Sequence, residues 1–255
     1  MNAAQIFDLT GRVALVTGAS SGLGARFAQV LAANGASVAL VARRLERIQQ
    51  LQQRIGPRAV AIEGDVTDRA SMKRAFDAAE KAFGIVDLLV NNAGVAHANR
   101  AIDLTEADWR RVLDTNLDAV FFCAQEASRR MLAANKPGAI VNIASVLGFG
   151  VAKGVAAYSV AKAGVIQMTK ALALELAFKG IRVNALAPGW FDTEINHDYL
   201  AGPHGATLKR EVPVGRFGAD GDLDGPLLLL ASQAGSYITG ATIVVDGGQM
   251  VALRG

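Results

Sequence analysis

Residues 17 to 24 read Thr17-Gly18-Ala19-Ser20-Ser21-Gly22-Leu23-Gly24. The preceding run Val13-Ala14-Leu15-Val16-Thr17 has the length and apolar character of a buried strand, and residues 24–34 carry a helical pattern. Glycines at such a junction let the backbone turn tightly and come close to a pyrophosphate. The N–H groups that open the following helix have no partner within it and stabilise that charge. A strand-to-helix turn of this composition near the start of the chain therefore predicts dinucleotide binding, with Gly18, Ser20, Ser21, Gly22, Leu23 and Gly24 as the cradle. Its spacing, Gly-x3-Gly-x-Gly, differs from the commoner Gly-x-Gly-x2-Gly.

Outward from this turn, short aliphatic runs alternate with longer helical patterns. Strands are predicted over residues 13–17, 37–42, 59–63, 86–91, 139–144, 182–186 and 242–245. Most are continuously apolar, as expected for parallel strands covered on both faces. Helices are predicted over 24–34, 44–55, 71–83, 105–135 and 156–179. This alternation predicts an α/β fold, a Rossmann-like, doubly wound, seven-stranded parallel sheet with helices on both faces. No repeat or linker divides the 255 residues, so a single domain is expected over 1–255. Residues 191–220 interrupt the alternation with Gly, Pro and isolated aromatics, and predict a substrate-binding lid.

Composition narrows the function classes. The chain is 51% hydrophobic and 19% charged, with a net charge of +3 and no basic stripe interleaved with aromatics, which argues against a nucleic-acid partner. Its one cysteine, Cys123, lies in an apolar stretch, and the three histidines have no metal-ligand spacing, so no metal is expected. Neither a signal peptide nor an apolar run of membrane length is visible, so a cytoplasmic location away from the membrane is expected.

The cofactor subtype is read at the end of the second strand. An acidic residue there would hold the ribose hydroxyls of NAD(H). Here the position is Ala42, followed by Arg43 and Arg44. An arginine pairs with a 2′-phosphate, which a carboxylate would repel. The functional reading is NADP(H) preference with Arg43 as phosphate ligand, NAD(H) remaining an option; the alternative is that the two arginines merely start a solvated helix.

The chemistry is read further along. Tyr158-Ser159-Val160-Ala161-Lys162 places tyrosine and lysine one helical turn apart on one face. A phenol is a poor base near neutral pH, and a neighbouring ammonium is expected to lower its pKa. Ser145, at the end of a predicted strand, is positioned to hold a substrate oxygen while Tyr158 gives or takes its proton.

Taken in order, these motifs resemble the short-chain dehydrogenase/reductase family over nearly the whole chain. Asn91-Asn92-Ala93-Gly94 looks like the family's motif after the fourth strand, and the resemblance implies that Asn92, Ala93 and Gly94 border the cofactor. It also implies an adenine-contacting pair in Asp65-Val66, and contacts to the nicotinamide carboxamide from Pro188, Gly189 and Thr193, with Phe191 in the same cofactor-binding segment. Asn116 matches the asparagine that supports a proton-relay water and completes a tetrad with Ser145, Tyr158 and Lys162. Tyr158 and Lys162 are implied to touch the cofactor as well.

The activity so implied is hydride transfer between a nicotinamide and a ketone or secondary alcohol. Substrate identity is expected in loops at the strand ends, from Val95, His97, Val146, Leu147, Phe149, Val155, Trp190, Phe191, Ile195 and Tyr199, with Ser145 and Tyr158 at the reacting centre. Most are apolar, favouring a hydrophobic carbonyl compound. One alternative is a 3-oxoacyl-thioester reductase, for which Arg129, Arg130 and Lys179 would offer charge to an acidic carrier. Another is a dinucleotide-sensing regulator without turnover. The family commonly forms tetramers, so a homotetramer is expected, with residues 105–135 and 156–179 at one interface and the C-terminal tail, 246–253, at another.

Overall fold

Val13 to Val16 are all buried, yet they divide between two cores. Ala14 and Val16 face one and Val13 and Leu15 the other, as the two-residue period of a strand dictates. The computed structural model describes residues 2–194, 200–203 and 205–252. Its elements run α1 (Ala3–Ile6), β1 (Val13–Thr17), α2 (Gly22–Ala33), β2 (Ser37–Ala42), α3 (Leu45–Ile55), β3 (Ala59–Glu63), α4 (Arg69–Phe83) and β4 (Leu88–Asn91). They continue with α5 (Glu106–Leu113), α6 (Ala119–Ala133), β5 (Gly138–Ile143), α7 (Ala156–Leu176), β6 (Ile181–Pro188), α8 (Gly205–Glu211), α9 (Asp224–Ala231) and β7 (Thr242–Val245).

All seven strands join one parallel sheet in the order β3-β2-β1-β4-β5-β6-β7. Phe27 and Leu31 of α2, Ile48 and Leu51 of α3, and Leu227 and Leu230 of α9 fill one face. The other is filled by Met72 and Phe76 of α4, Cys123 and Met131 of α6, and Ala173 of α7. The chain reverses winding between β1 and β4, where the C-terminal ends of the strands open a crevice. This is the doubly wound, Rossmann-like sheet expected from the sequence.

The helices differ from expectation in two ways: one is interrupted, and α1, α8 and α9 were not expected. The helix predicted over 105–135 is interrupted by a π turn, Asp114–Asp118, in which the Ala119 N–H reaches back to the Asp114 carbonyl. The extra residue turns Asn116 fully inward, where its Oδ1 accepts from the Val95 N–H (2.8 Å) and its Nδ2 donates to the Val95 carbonyl (2.7 Å). Helix α9 was not anticipated, because Gly225-Pro226 reads as a turn and Leu227 to Leu230 is a short apolar run without periodicity. Pro226 falls in the first turn, where its missing N–H costs no intrahelical bond.

A buried polar chain ties α7 to the sheet. Asn91 Nδ2 donates to Asn142 Oδ1 (3.0 Å), Asn142 Nδ2 to Thr169 Oγ1 (3.0 Å), and the Thr169 hydroxyl to the Val165 carbonyl (2.8 Å). Every member is satisfied, so the chain fixes the rotation of α7, the helix that carries Tyr158 and Lys162. After β6, an isolated bridge pairs Phe191 with Gly218.

Candidate active site

The first turn of α2 begins at Ser21, whose side chain makes no capping bond, so its opening N–H groups point into the crevice without a side-chain partner. The approach is possible because of the glycines. Gly18 has φ +69°, and a Cβ there would lie 2.8 Å from the Ala93 Cα. A Cβ on Gly24 would run into the Gly18 carbonyl and the Asn92 side chain. Thr17 and Asn92 knit the two loops together: Thr17 Oγ1 accepts from the N–H groups of Asn92 (3.0 Å) and Ala93 (3.1 Å), and Asn92 Nδ2 donates to the Thr17 carbonyl (3.0 Å). A Gly18→Ala variant is expected to lose about 2 kcal/mol or more from the forced left-handed backbone and the Ala93 clash. Its cofactor affinity should fall with it, read by chemical denaturation and cofactor titration.

A cavity of about 530 Å³ follows this turn along the strand ends. Its wall includes every residue expected to bind the cofactor: Gly18, Ser20, Ser21, Gly22, Leu23, Gly24, Arg43, Arg44, Asp65, Val66, Asn92, Ala93, Gly94, Tyr158, Lys162, Pro188, Gly189, Phe191 and Thr193. An elongated groove with an uncapped helix start and a glycine cradle at its middle fits a dinucleotide.

At one end, Asp65 Oδ1 accepts from the Thr67 N–H (2.9 Å) and hydroxyl (2.8 Å). Partial burial works against its ionisation, but these bonds and the Arg43 charge outweigh it and hold the carboxyl below its usual pKa. Arg43 is exposed and has no hydrogen-bond or ion-pair partner among the described residues. Arg44, by contrast, is bonded to Ser20 and Ser21 and to Glu194 from the far side of the crevice.

At the other end stand Ser145, Tyr158 and Lys162, all in the wall. Ser145 Oγ accepts from the Leu147 N–H (3.1 Å), which fixes its rotamer and leaves its proton for the Tyr158 oxygen. Lys162 is 4% exposed, its Nζ donating to the Ile143 carbonyl (2.6 Å) and lying 5.5 Å from the Tyr158 ring centre. Burial pushes the Lys162 ammonium down to about 8. The expectation for Tyr158 is corrected. Burial raises its pKa, opposed only by the Ser145 hydrogen bond. The physical reason is that the phenolate would lose its water on burial, a cost that outweighs the single hydrogen bond from Ser145.

Other expected residues lie off the cavity wall. Asn116 is fully buried against Val95, whose backbone it clamps, while Val95 and the adjacent Thr115 reach the wall. His97 is held by Arg111 (3.0 Å) and Asp108 (3.4 Å) of α5, outside the wall. Leu147 and Trp190 are also outside it. Leu147 contributes its N–H to Ser145, and the Trp190 carbonyl accepts from the Gly218 N–H (2.8 Å). Val146, Phe149 and Val155 are outside it too; Phe191, in the wall, is buried against Gly218, and Ile195 and Tyr199 lie outside the described residues. Sequence reasoning missed Glu194, Thr67, Gly64 and Thr115, all in the wall. The ion pairs of Glu194 span about 150 residues of sequence, which no local pattern signals.

Comparison with known proteins agrees with this geometry. A family model described as enoyl-(acyl carrier protein) reductase matches residues 18–250. A D-threitol dehydrogenase of Mycolicibacterium smegmatis is 40% identical over 248 residues, covering 96% of this chain and 95% of that one. A 3beta-hydroxysteroid dehydrogenase 1 of Eggerthella lenta is 40% identical over 247 residues, covering 94% of each. The crystal structure of a gluconate 5-dehydrogenase from Burkholderia cenocepacia, in complex with NADP and tartrate, superposes with a TM-score of 0.94 at 35% identity, over 99% of this chain and 100% of that one. With its cradle, its Tyr158 beside a buried Lys162 and these relatives, the chain belongs to the short-chain dehydrogenase/reductase family and is an oxidoreductase of the alcohol dehydrogenase type.

Proposed function

We propose that this protein interconverts a ketone and a secondary alcohol, prefers NADP(H), and accepts a substrate with an apolar body. The observation that carries the reading is the convergence of Ser145, Tyr158 and Lys162 at one end of a groove whose other end presents Arg43 and no carboxylate at position 42.

Ser145, held by the Leu147 N–H, grips the substrate oxygen with its hydroxyl. Tyr158 is the proton donor in reduction and the acceptor in oxidation. Its raised pKa keeps the phenol protonated at neutral pH, as a general acid requires. Lys162, fixed by the Ile143 carbonyl, supplies a positive charge that favours the phenolate as it forms. Bound nicotinamide dinucleotide supplies or accepts the hydride. Asn116 keeps the Val95 backbone in place beside this centre and acts as a positioning residue.

The apolar preference rests on Val95 and Phe191, the apolar residues expected to meet the substrate that line the groove, whereas Val146 and Phe149 lie outside its wall. The relatives themselves are named for both polyol and steroid substrates. A second reading, reduction of a carrier-bound acyl thioester, is suggested by the family model's description. It is disfavoured by Arg130, one of the cations expected to meet an acidic carrier. Arg130 is already paired with Asp77 (2.8 Å), Glu80 (2.9 Å) and Glu126 (2.7 Å). The homotetramer reading is supported by Leu174 and Phe178 of the region 156–179, which are 83% and 76% exposed.

The cofactor and substrate readings are tested together. Dissociation constants for NADPH and NADH are measured on the wild type and on Arg43→Ala, and turnover on apolar cyclic alcohols beside tetritols and sugar acids. NADPH is expected to bind more tightly, and Arg43→Ala to remove about tenfold or more of that advantage, the loss of one charge-assisted contact. Equal binding of both cofactors by the wild type would overturn the Arg43 reading. Turnover confined to polyols would overturn the apolar one.

A further inference from the structure

Glu194 leaves the end of β6 and crosses the crevice to the start of α3. Its Oε2 accepts from Arg44 Nη1 (3.0 Å), and its Oε1 from Arg47. Ser21 bonds the same carboxylate. The remaining donors of Arg44 are also engaged, Nε and Nη2 on Ser20 Oγ (3.2 and 2.8 Å) and Nη2 on Ser21 Oγ (2.8 Å). Glu194, Arg44, Ser20 and Ser21 all line the cofactor groove. The carboxylate also sits at the N-terminal turn of an eleven-residue helix, where negative charge is favoured.

An anion held on the guanidinium beside Arg43 has a consequence for cofactor choice. A 2′-phosphate would bring close to two negative charges to this end of the groove. Arg43 is available to it, but Arg44 is bonded to a carboxylate of the same sign as the phosphate. A ribose hydroxyl is neutral and meets no such repulsion.

We propose that Glu194 is an internal competitor of the 2′-phosphate, occupying Arg44 and thereby weakening the discrimination between NADP(H) and NAD(H) that Arg43 provides. The proposal rests on the reading that the 2′-phosphate binds at Arg43. Glu194 acts through Arg44 and is a positioning residue for cofactor selectivity. The bonds from Arg47, Arg44 and Ser21 hold its carboxyl down to about 2, so its charge is present at any working pH. The pairs are about half exposed, which makes the effect modest and sensitive to salt.

The test is calorimetric titration of the full-length protein with NADPH and with NADH, for wild type, Glu194→Gln and Arg43→Ala. Glu194→Gln keeps the shape of the side chain and removes its charge. It is expected to shift the ratio of the two dissociation constants about fivefold toward NADPH at low salt, a shift that shrinks as ionic strength rises. If both affinities move together and the ratio stays, Glu194 is only a structural latch and the proposal is overturned. If Arg43→Ala lowers the NADPH preference while Glu194→Gln leaves it unchanged, the competitor proposal fails and the Arg43 reading stands. If neither variant changes the ratio, the 2′-phosphate does not bind here and both fail.

Discussion

Tyr158→Phe is expected to lower turnover in both directions by about a thousandfold, with the fold and cofactor affinity kept. The variant removes one oxygen from a ring that is already packed and partly buried, so it opens no cavity of consequence. What disappears is the group to which Ser145 donates and the only side chain in the cavity wall that combines a hydroxyl of raised pKa with an adjacent lysine. Loss of general acid–base assistance alone costs about 100- to 10,000-fold. The check is steady-state kinetics beside a cofactor titration and a melting curve. Near-wild-type turnover would mean that another group moves the proton.

Lys162→Met is expected to produce two effects of opposite benefit. Activity should fall at least about a hundredfold, because the charge beside the phenol is gone. Stability should rise. Lys162 is 4% exposed and has its pKa pushed from 10.5 to about 8 by burial. Between those values the unfolded chain binds more protons than the native one, so stability of the wild type rises with pH across that window. Below about pH 8 the native state carries the full cost of the buried ammonium, about 3 kcal/mol. A methionine of similar length removes that cost and forgoes one hydrogen bond to the Ile143 carbonyl, about 1 kcal/mol. The net gain is about 2 kcal/mol at pH 7, fading as pH approaches 10.5. Denaturant unfolding of both proteins at pH 7 and pH 10 reads it. A methionine variant less stable than wild type at pH 7 would contradict the burial argument. The two effects together describe a residue kept for chemistry at the expense of the fold.

The fold was largely legible because its strands are continuous apolar runs, and β1, β2, β3 and β7 have the bounds that those runs indicate. The interruption near Asn116 was not, since a π turn is enforced by the two bonds from its amide to Val95, a contact 21 residues away. Helix α9 was hidden by Gly225-Pro226, which local rules read as a turn. The site divides in the same way. Tyr158 and Lys162 share a helix face and announce themselves by spacing, as does the glycine cradle. Their protonation does not, because it is set by how completely the sheet and α7 exclude water. The sequence suggested a tyrosine made acidic by its lysine; the folded site holds a tyrosine and a lysine that are both driven toward their neutral forms. Glu194 was invisible for a related reason: its partners Arg44 and Arg47 lie at the other side of the sheet in sequence and meet it only across the crevice.

The most direct measurement follows the hydrogen itself. A secondary alcohol deuterated at its carbinol carbon is incubated with the wild-type protein and NADP+, and the products are analysed by mass spectrometry. The deuterium is expected on the reduced nicotinamide, one label per ketone formed, with none released to solvent, and Tyr158→Phe should transfer it at about a thousandth of the rate. Ketone formed with the label in water, or label transferred equally fast by the phenylalanine variant, would contradict hydride transfer assisted by Tyr158.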